Sequence, residues 1–350
     1  MIRLLELLIA FVIVAVLFVV IGVFLPSKAT VERSVELTNP IVQVFDTVNG
    51  YRKFANISAF TVADPRAKLK VGGPSAGEGA TFSWDSFEKG VGEGSLEIIQ
   101  SVPNEKVVSK LTNFWRGQNK RSTFFLRTQP TTGATRLLWK VGLDCKWDLL
   151  CRYQSLYLNG RMGELMRTSL NRLATTMASY PNVDYSQVDV SLVNTEAKPF
   201  LYVETEVTAI PIEWEGAEAV QESAWTEVEA FVTSNNLVAN GPRTRVVVEL
   251  GEEKNIFQMG IPVASLDAVA PTGNVRIGQL PAAEAIRVSY LGHRVGLNRP
   301  RDMQRAFALT HGYAYDPDYK GTWEEWPETF VPEGAQFQPN PTTVLYMPVE

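Results

Sequence analysis

Nothing in this chain restricts its fold more than the run LLIAFVIVAVLFVVIGVFL, residues 7–25, which holds no charged or strongly polar side chain. At 1.5 Å per residue, about 19 helical residues span roughly 28 Å, close to the hydrocarbon thickness of a bilayer. A cleaved signal peptide usually has a shorter apolar core, about 7–15 residues. The small residues of SKA at 27–29 offer a cleavage position, so removal is the alternative. Residues 1–28 are read as a single membrane anchor that stays attached. Arg3 and the amino terminus lie on one side of it, Lys28 and Arg33 on the other, so the positive-inside rule assigns no orientation.

At 350 residues the chain is too long for one typical core, and two soluble domains are expected after the anchor. A nucleic-acid binder would show a basic stripe, whereas the net charge here is −5, so no nucleic-acid partner is expected. Cys145 and Cys151 are the two cysteines. They are expected as free, half-buried thiols, with a bridge between them as the alternative in an oxidising compartment.

The pattern changes to period two after Pro26. In VERSVEL, Val31, Arg33, Val35 and Leu37 alternate with Glu32, Ser34 and Glu36, a first strand. Asn39 suits a helix N-cap and Pro40 the first helical position. The short helix that follows puts Ile41, Val44, Phe45 and Val48 on one face, and Asn49-Gly50 stops it. The glycines of GEGATFSWDSFEKGVGEGSLEII, residues 77–99, would cradle a phosphate only where a strand turns directly into a helix. No helical period follows them, and ATFSWDSFE and GSLEIIQ both read as strands. Gly90, Gly92 and Gly94 therefore serve a hairpin reversal. Further strands are predicted over 106–113, 118–127 and 134–144, the last with Leu137, Trp139, Val141 and Leu143 opposite Arg136, Lys140 and Asp144. A long helix over 158–179 carries Met162, Leu165, Met166, Leu170, Leu173 and Met177 as one stripe.

That order, with VERSVELTNPIVQVFDTVNGYRKF, Asp64-Pro65, GEGATFSW, GVGEGSLEI, VPNEKV and the final helix, resembles the SRPBCC superfamily of START-like, polyketide-cyclase-like helix-grip proteins over residues 29–180. The resemblance implies an antiparallel sheet wrapped around a long C-terminal helix, with a hydrophobic cavity between them. Where members of this subgroup often carry tryptophans, this chain has Phe54 and Phe60. The superfamily contains binders, transfer proteins and enzymes, so it implies no single chemistry. Trp84, Phe114, Phe125 and Trp139 are the residues expected to line that cavity, with ordinary core packing as the alternative.

Residues 181–198 have no helical stripe and read as a linker or an edge segment. Beyond them the chain repeats itself weakly. PFLYVETEV opens one half and EAIRVSYLG the other. Each is followed by a helix, one striped by Val220, Ala224, Trp225, Val228, Phe231 and Val232, the other by Met303, Ala306, Phe307 and Thr310. Each half closes in paired strands on MGIPVA and LYMPVE. This duplicated β-α-β-β pattern over 199–350 resembles the GyrI-like, or AraC-type effector-binding, domain. The resemblance implies a groove between the halves, walled by aromatics, that takes amphipathic or cationic organic molecules. In many members a glutamate precedes the closing strand; this chain has Val344 there, and Glu324 or Glu325 of GTWEEW would take its place. Tyr202, Trp225, Trp323, Glu325, Trp326 and Tyr346 are the candidate lining, because aromatic walls with one acid suit an organic cation.

His293 and His311 have no cysteine or acidic cluster at ligand spacing, and no nucleophile elbow, phosphate loop or dinucleotide fingerprint is present. No metal and no cofactor is expected. The expected fold class is α+β: a membrane helix, a helix-grip domain and a duplicated β-α-β-β domain. The expected function is capture or sensing of a small hydrophobic or amphipathic molecule by a membrane-anchored protein, with binding and no turnover. An enzyme of cyclase or hydrolase type and a structural protein with filled cores are the alternatives. A DNA-binding regulator is disfavoured, since no helix-turn-helix precedes either module.

Overall fold

The computed structural model describes residues 2–58, 64–88, 91–208, 214–266, 269–292, 294–327 and 342–350. It divides into two units, Met1–Asn182 and Val183–Glu350. The fold is α+β, with one antiparallel sheet in each unit.

In the first unit α1 (Ile2–Phe24) is the apolar helix, and its side chains from Leu7 to Phe24 are largely exposed. By length and composition it is able to cross a membrane. Strand β1 (Lys28–Leu37) follows, then α2 (Ile41–Val48) and α3 (Tyr51–Ile57). Next come β2 (Lys68–Gly72), β3 (Thr81–Asp85), β4 (Glu93–Val102), β5 (Lys106–Asn113), β6 (Gln118–Thr128) and β7 (Thr135–Asp144). The short α4 (Leu149–Ser155) and the long α5 (Leu158–Met177) close the unit. The sheet order β1-β7-β6-β5-β4-β3-β2 is a meander, with β7 brought back to pair with β1. Helix α5 buries Met162, Met166, Leu170, Leu173 and Met177, the expected stripe, while Leu165 is half-buried.

Two local expectations change. Pro40, not Asn39, is the N-cap of α2, and no side chain caps it. The buried Asn39 donates through Nδ2 to Gln43 Oε1 (2.9 Å) and to Met177 O (3.1 Å). The last carbonyls of a helix lack intrahelical donors, and Asn39 serves one of them on α5. The cysteines are not free thiols: Cys145 and Cys151 are disulfide-bonded. Asp148 Oδ1 accepts from Cys151 N (3.0 Å), starting α4 just after β7 and returning the chain until the two Cα atoms lie 5.4 Å apart, within the usual disulfide range.

The glycine-rich stretch forms the hairpin of β3 and β4, with Trp84 opposite Gly94. Gly92 has φ +58°, a conformation glycine adopts freely. A Cβ on Gly94 would lie 2.3 Å from the Trp84 ring and 2.7 Å from Thr112 O, so the indole lies across bare backbone. Gly90 falls outside the described residues, as do Phe60 and His293.

In the second unit β8 (Val190–Asn194) is an edge strand on β13, so part of the 181–198 stretch takes the edge reading and not the linker reading. Strand β9 (Lys198–Thr208), helix α6 (Trp214–Ser234), β10 (Arg243–Leu250) and β11 (Lys254–Pro262) follow. After β12 (Arg276–Leu280) come β13 (Glu284–Leu291), α7 (Asn298–His311), β14 (Trp323–Trp326) and β15 (Thr342–Pro348). The sheet order is β12-β9-β11-β10-β14-β15-β13-β8. Helix α6 packs Ala224, Trp225, Val228 and Phe231 onto Leu201, Val203, Val247 and Phe257. Helix α7 packs Ala308 and Phe307 onto Ile286 and Met347. Strand alternation puts both sets on the same side of the sheet.

Candidate functional site

Alternation divides the six residues expected around the second-unit groove into two groups. Trp323 pairs across the sheet with Val246 on β10 and with Tyr346 on β15, and Tyr346 with Arg287 on β13. Cross-strand partners share a face, so Trp323, Tyr346, Arg287 and Val246 stand on one side. Glu325, two residues from Trp323, stands there too, in register with Thr244 and Val344. Tyr202 reaches the same face through Gly260, which is in register with Thr244. This side is turned away from α6 and α7. Trp225 and Trp326 meet on the helix side instead, rings 4.3 Å apart and edge to face, both buried in the core beneath α6. They are core packing and do not join the groove.

The face that remains carries an apolar cluster beside Glu325. Phe200, Val246, Leu280, Ala285 and Trp323 form a buried cluster, with Tyr202 and Tyr346 half-buried against it. Trp323 and Tyr346 stack with centroids 5.0 Å apart and planes 9° apart. Phe200 stacks on Tyr202 at 5.7 Å. Phe200 and Tyr202 lie over glycines that leave them room: a Cβ on Gly260 would lie 2.7 Å from the Phe200 ring, and one on Gly278 2.8 Å from that of Tyr202. Tyr346 OH donates to Glu325 Oε2 (3.2 Å). Burial first, then the Glu325 charge, pushes the Tyr346 hydroxyl up, so it keeps its proton at neutral pH. Tyr202 and Glu325 are three strand spacings apart, about 14 Å. Two aromatic pairs therefore flank the site rather than one ring of residues.

Glu324 points the other way. It is fully enclosed, and its carboxylate accepts from Arg245 Nη2 and Arg301 Nη2, each at 2.6 Å. Burial raises a carboxyl pKa, but the charges of Arg245 and Arg301 and their hydrogen bonds outweigh it, and Glu324 is held below its ordinary value. Arg245 also lies over the rings of Phe257 (5.0 Å) and Trp326 (5.6 Å). Of the two glutamates of GTWEEW, Glu325 is the one on the aromatic face. Phe200, Arg287, Arg245 and Arg301 were not singled out from sequence. The alternation of Arg243 and Arg245 in RTRVVVEL is the one signal that could have pointed to charged positions on a single face of this strand.

In the first unit Trp84 and Trp139 are buried, whereas Phe114 and Phe125 are exposed, and Phe124 takes the inward position. Register explains it: Phe124 pairs with Trp139, and Phe125 with Leu138. Trp139 packs against Phe124 (5.0 Å) and Phe54 (5.9 Å), and Phe82 against Trp84 (5.6 Å) and Tyr51 (5.9 Å). Trp139 Nε1 donates to Ser122 Oγ (2.8 Å), and Tyr51 shares a 2.7 Å hydrogen bond with Ser109. Burial pushes the Tyr51 hydroxyl well up, with the Ser109 hydrogen bond opposing. These rings pack against one another on the inward face of the sheet. Trp84 and Phe114 do border one cavity, of about 510 Å³, at the β2–β5 end of the sheet. A second cavity, of about 640 Å³, lies between β9 and α6 in the second unit, with Glu204, Glu227 and Arg276 in its wall. Among the described residues no three His, Cys, Asp or Glu converge as a metal site.

No family model matches this chain, and no curated protein matches it. Solved structures do. The EcmrR C-terminal domain is 14% identical over 47% of this chain and 98% of its own, with a TM-score of 0.39. EcmrR in a cryo-EM complex with DNA is 13% identical over 64% and 88%, also at 0.39. A norcoclaurine synthase mutant from Thalictrum flavum, bound to a transition-state analogue, is 12% identical over 43% and 97%, at 0.35. TM-scores this low carry no argument about family or activity. With a chain solved on DNA among the neighbours, the exclusion of nucleic acid drawn from a net charge of −5 is withdrawn. Net charge sums the whole chain, whereas nucleic acid is met by one local surface.

Proposed function

We propose that this chain is a membrane-anchored protein that binds a small aromatic or amphipathic cation on the second unit, without turnover. One observation carries the reading: the stacked Trp323–Tyr346 pair stands on the same face as the Glu325 carboxylate, which accepts from the Tyr346 hydroxyl. A π-surface beside a carboxylate attracts an organic cation by about 0.5–2 kcal/mol, more when water is excluded. Glu325 is also the cross-strand partner of Val344, where the GyrI-like resemblance implies a glutamate. One strand over, this chain supplies the acid. The strand orders support helix-grip and duplicated β-α-β-β assignments for the two units, including a pseudo-twofold relation of β9-α6-β10-β11 to β13-α7-β14-β15. Anchoring is supported by the bare apolar surface of α1. The Cys145–Cys151 bond supports soluble units on the oxidising, non-cytoplasmic side. A hydrolase reading centred on Glu324 loses support, because two arginines hold that carboxylate ionised.

The test is a thermal-shift screen of the full chain in detergent micelles against aromatic quaternary ammonium compounds and hydrophobic amines. A saturable rise in Tm is expected. Glu325→Gln and Tyr346→Phe should each weaken the midpoint by about 2- to 30-fold, the equivalent of about 0.5–2 kcal/mol. If no compound raises Tm, or neither substitution moves the midpoint, the reading is wrong.

A further inference from the structure

We propose that the segment around α4, residues 146–157, is a second membrane contact that lies in the headgroup region of the bilayer α1 crosses. The proposal rests on the reading of α1 as a span. Its starting point is how α4 grips the last turns of α1. Arg152 Nη1 donates to Val23 O (2.6 Å), Leu25 O (3.1 Å) and Gly22 O (3.2 Å). Gly22 and Val23 are in the last turn of α1, whose carbonyls lack intrahelical partners, and a cation there also suits the helix dipole. Tyr153 OH donates to Phe18 O (2.8 Å), and the two rings stack at 4.3 Å. Gly22 lies so close that a Cβ there would be 3.1 Å from Tyr153 and 3.3 Å from Leu149.

The depth follows from length. The apolar helix Glu6–Phe24 has 19 residues, about 28 Å, and needs nearly all of them to cross a hydrocarbon layer of about 30 Å. Phe18 is six residues before Phe24, about 9 Å along the axis. A segment fastened from Phe18 to Leu25 therefore cannot stand clear of the bilayer surface if α1 spans it. Its composition agrees. Trp147 is 80% exposed, Tyr157 70%, Leu156 57% and Leu150 54%. In water four large apolar side chains within eleven positions would be a costly patch. In the headgroup region the leucines reach the acyl boundary, and the Trp and Tyr rings keep their polar edges hydrated. The Trp147 ring lies 5.6 Å from the Arg152 guanidinium that caps α1, which sets it at the level of the last helical turn. Ile21 and Phe24, in the α1 turns that α4 grips, are exposed as well.

The experiment uses the full chain in phosphatidylcholine vesicles. Flotation reports anchoring, and bromine-substituted acyl chains quench tryptophans near the hydrocarbon boundary. The emission lost on Trp147→Phe isolates that residue's signal. At least half of it is expected to vanish in brominated vesicles relative to plain ones. Leu150→Asp with Leu156→Asp, both at exposed positions, should leave flotation intact and abolish most of the quenching. A chain that floats while Trp147 is unquenched overturns the α4 contact and leaves the span standing. Trp147 emission that is blue-shifted yet unquenched means a protein surface covers it, which also overturns the proposal. Quenching that survives the double substitution rejects the two leucines as its cause and sinks it equally. A chain that does not float defeats both readings.

Discussion

Glu324 is the residue whose environment makes the sharpest demand. Its carboxylate sits between Arg245 and Arg301, with Arg245 nearly as buried as the acid. Removing one member of a buried ion pair leaves charge without compensation and costs about 3–5 kcal/mol. Glu324→Gln should lower the unfolding free energy of the second unit by that amount at pH 7, as read by urea unfolding through tryptophan fluorescence. The pH dependence follows from the depressed carboxyl value. A group whose folded pKa is below its unfolded one stabilises the fold above the unfolded value and loses that contribution as pH falls through the folded one. The gap between wild type and Glu324→Gln should therefore shrink below about pH 4.5, the ordinary glutamate value. A gap that stays constant down to pH 3 would mean the carboxylate is not held by its arginines. Glu325, its neighbour in sequence, faces the opposite side of the sheet and should carry none of this stability.

The turn from β7 into α4 is an element whose role depends on one covalent bond. Asp148 caps α4 through Cys151 N and also pairs with Arg116 (2.9 Å). The Cys145–Cys151 bond closes a short turn, six residues apart in sequence, so its loop-closure contribution is at the low end for disulfides, about 2 kcal/mol. Protein purified without reductant and denatured should offer no thiol to alkylation, and two after reduction. Two reactive thiols before reduction would remove both the bond and the argument for a non-cytoplasmic side. Arg152 lies one residue past Cys151 and caps α1. The disulfide, the cap and the end of the apolar helix therefore form one cooperative corner.

Across the whole molecule, each of the two units carries its own antiparallel sheet, and each is expected to unfold as a body of its own. Because β8 is paired to β13, the vulnerable backbone lies before it, in residues 181–189 rather than anywhere in 181–198. Limited proteolysis of the micelle-bound chain should cut there and yield two fragments that each keep a cooperative unfolding transition. A fragment that loses its transition on separation would show that the units depend on each other for stability.

What the sequence determined alone is whatever repeats along one element. The α1 run, the β5 bounds, the stripe on α5 and the alternation that sets Trp323 and Glu325 on one face were all legible, because 3.6- and 2-residue periods are local. Registers between strands were not. Phe124 rather than Phe125 faces inward because it stands opposite Trp139, and a shift of one residue exchanges the faces. Trp225 and Trp326 looked equivalent to Trp323 and Tyr346 as aromatics, but only the crossing of α6 over the sheet buries the first pair together. Asn39 read as a cap until a carbonyl from the far end of α5 came within its reach. Cys145 and Cys151 became partners only when Asp148 turned the chain back. In each case the deciding contact joins elements whose spacing in the sequence carries no period, so it exists only once the sheet and helices have packed.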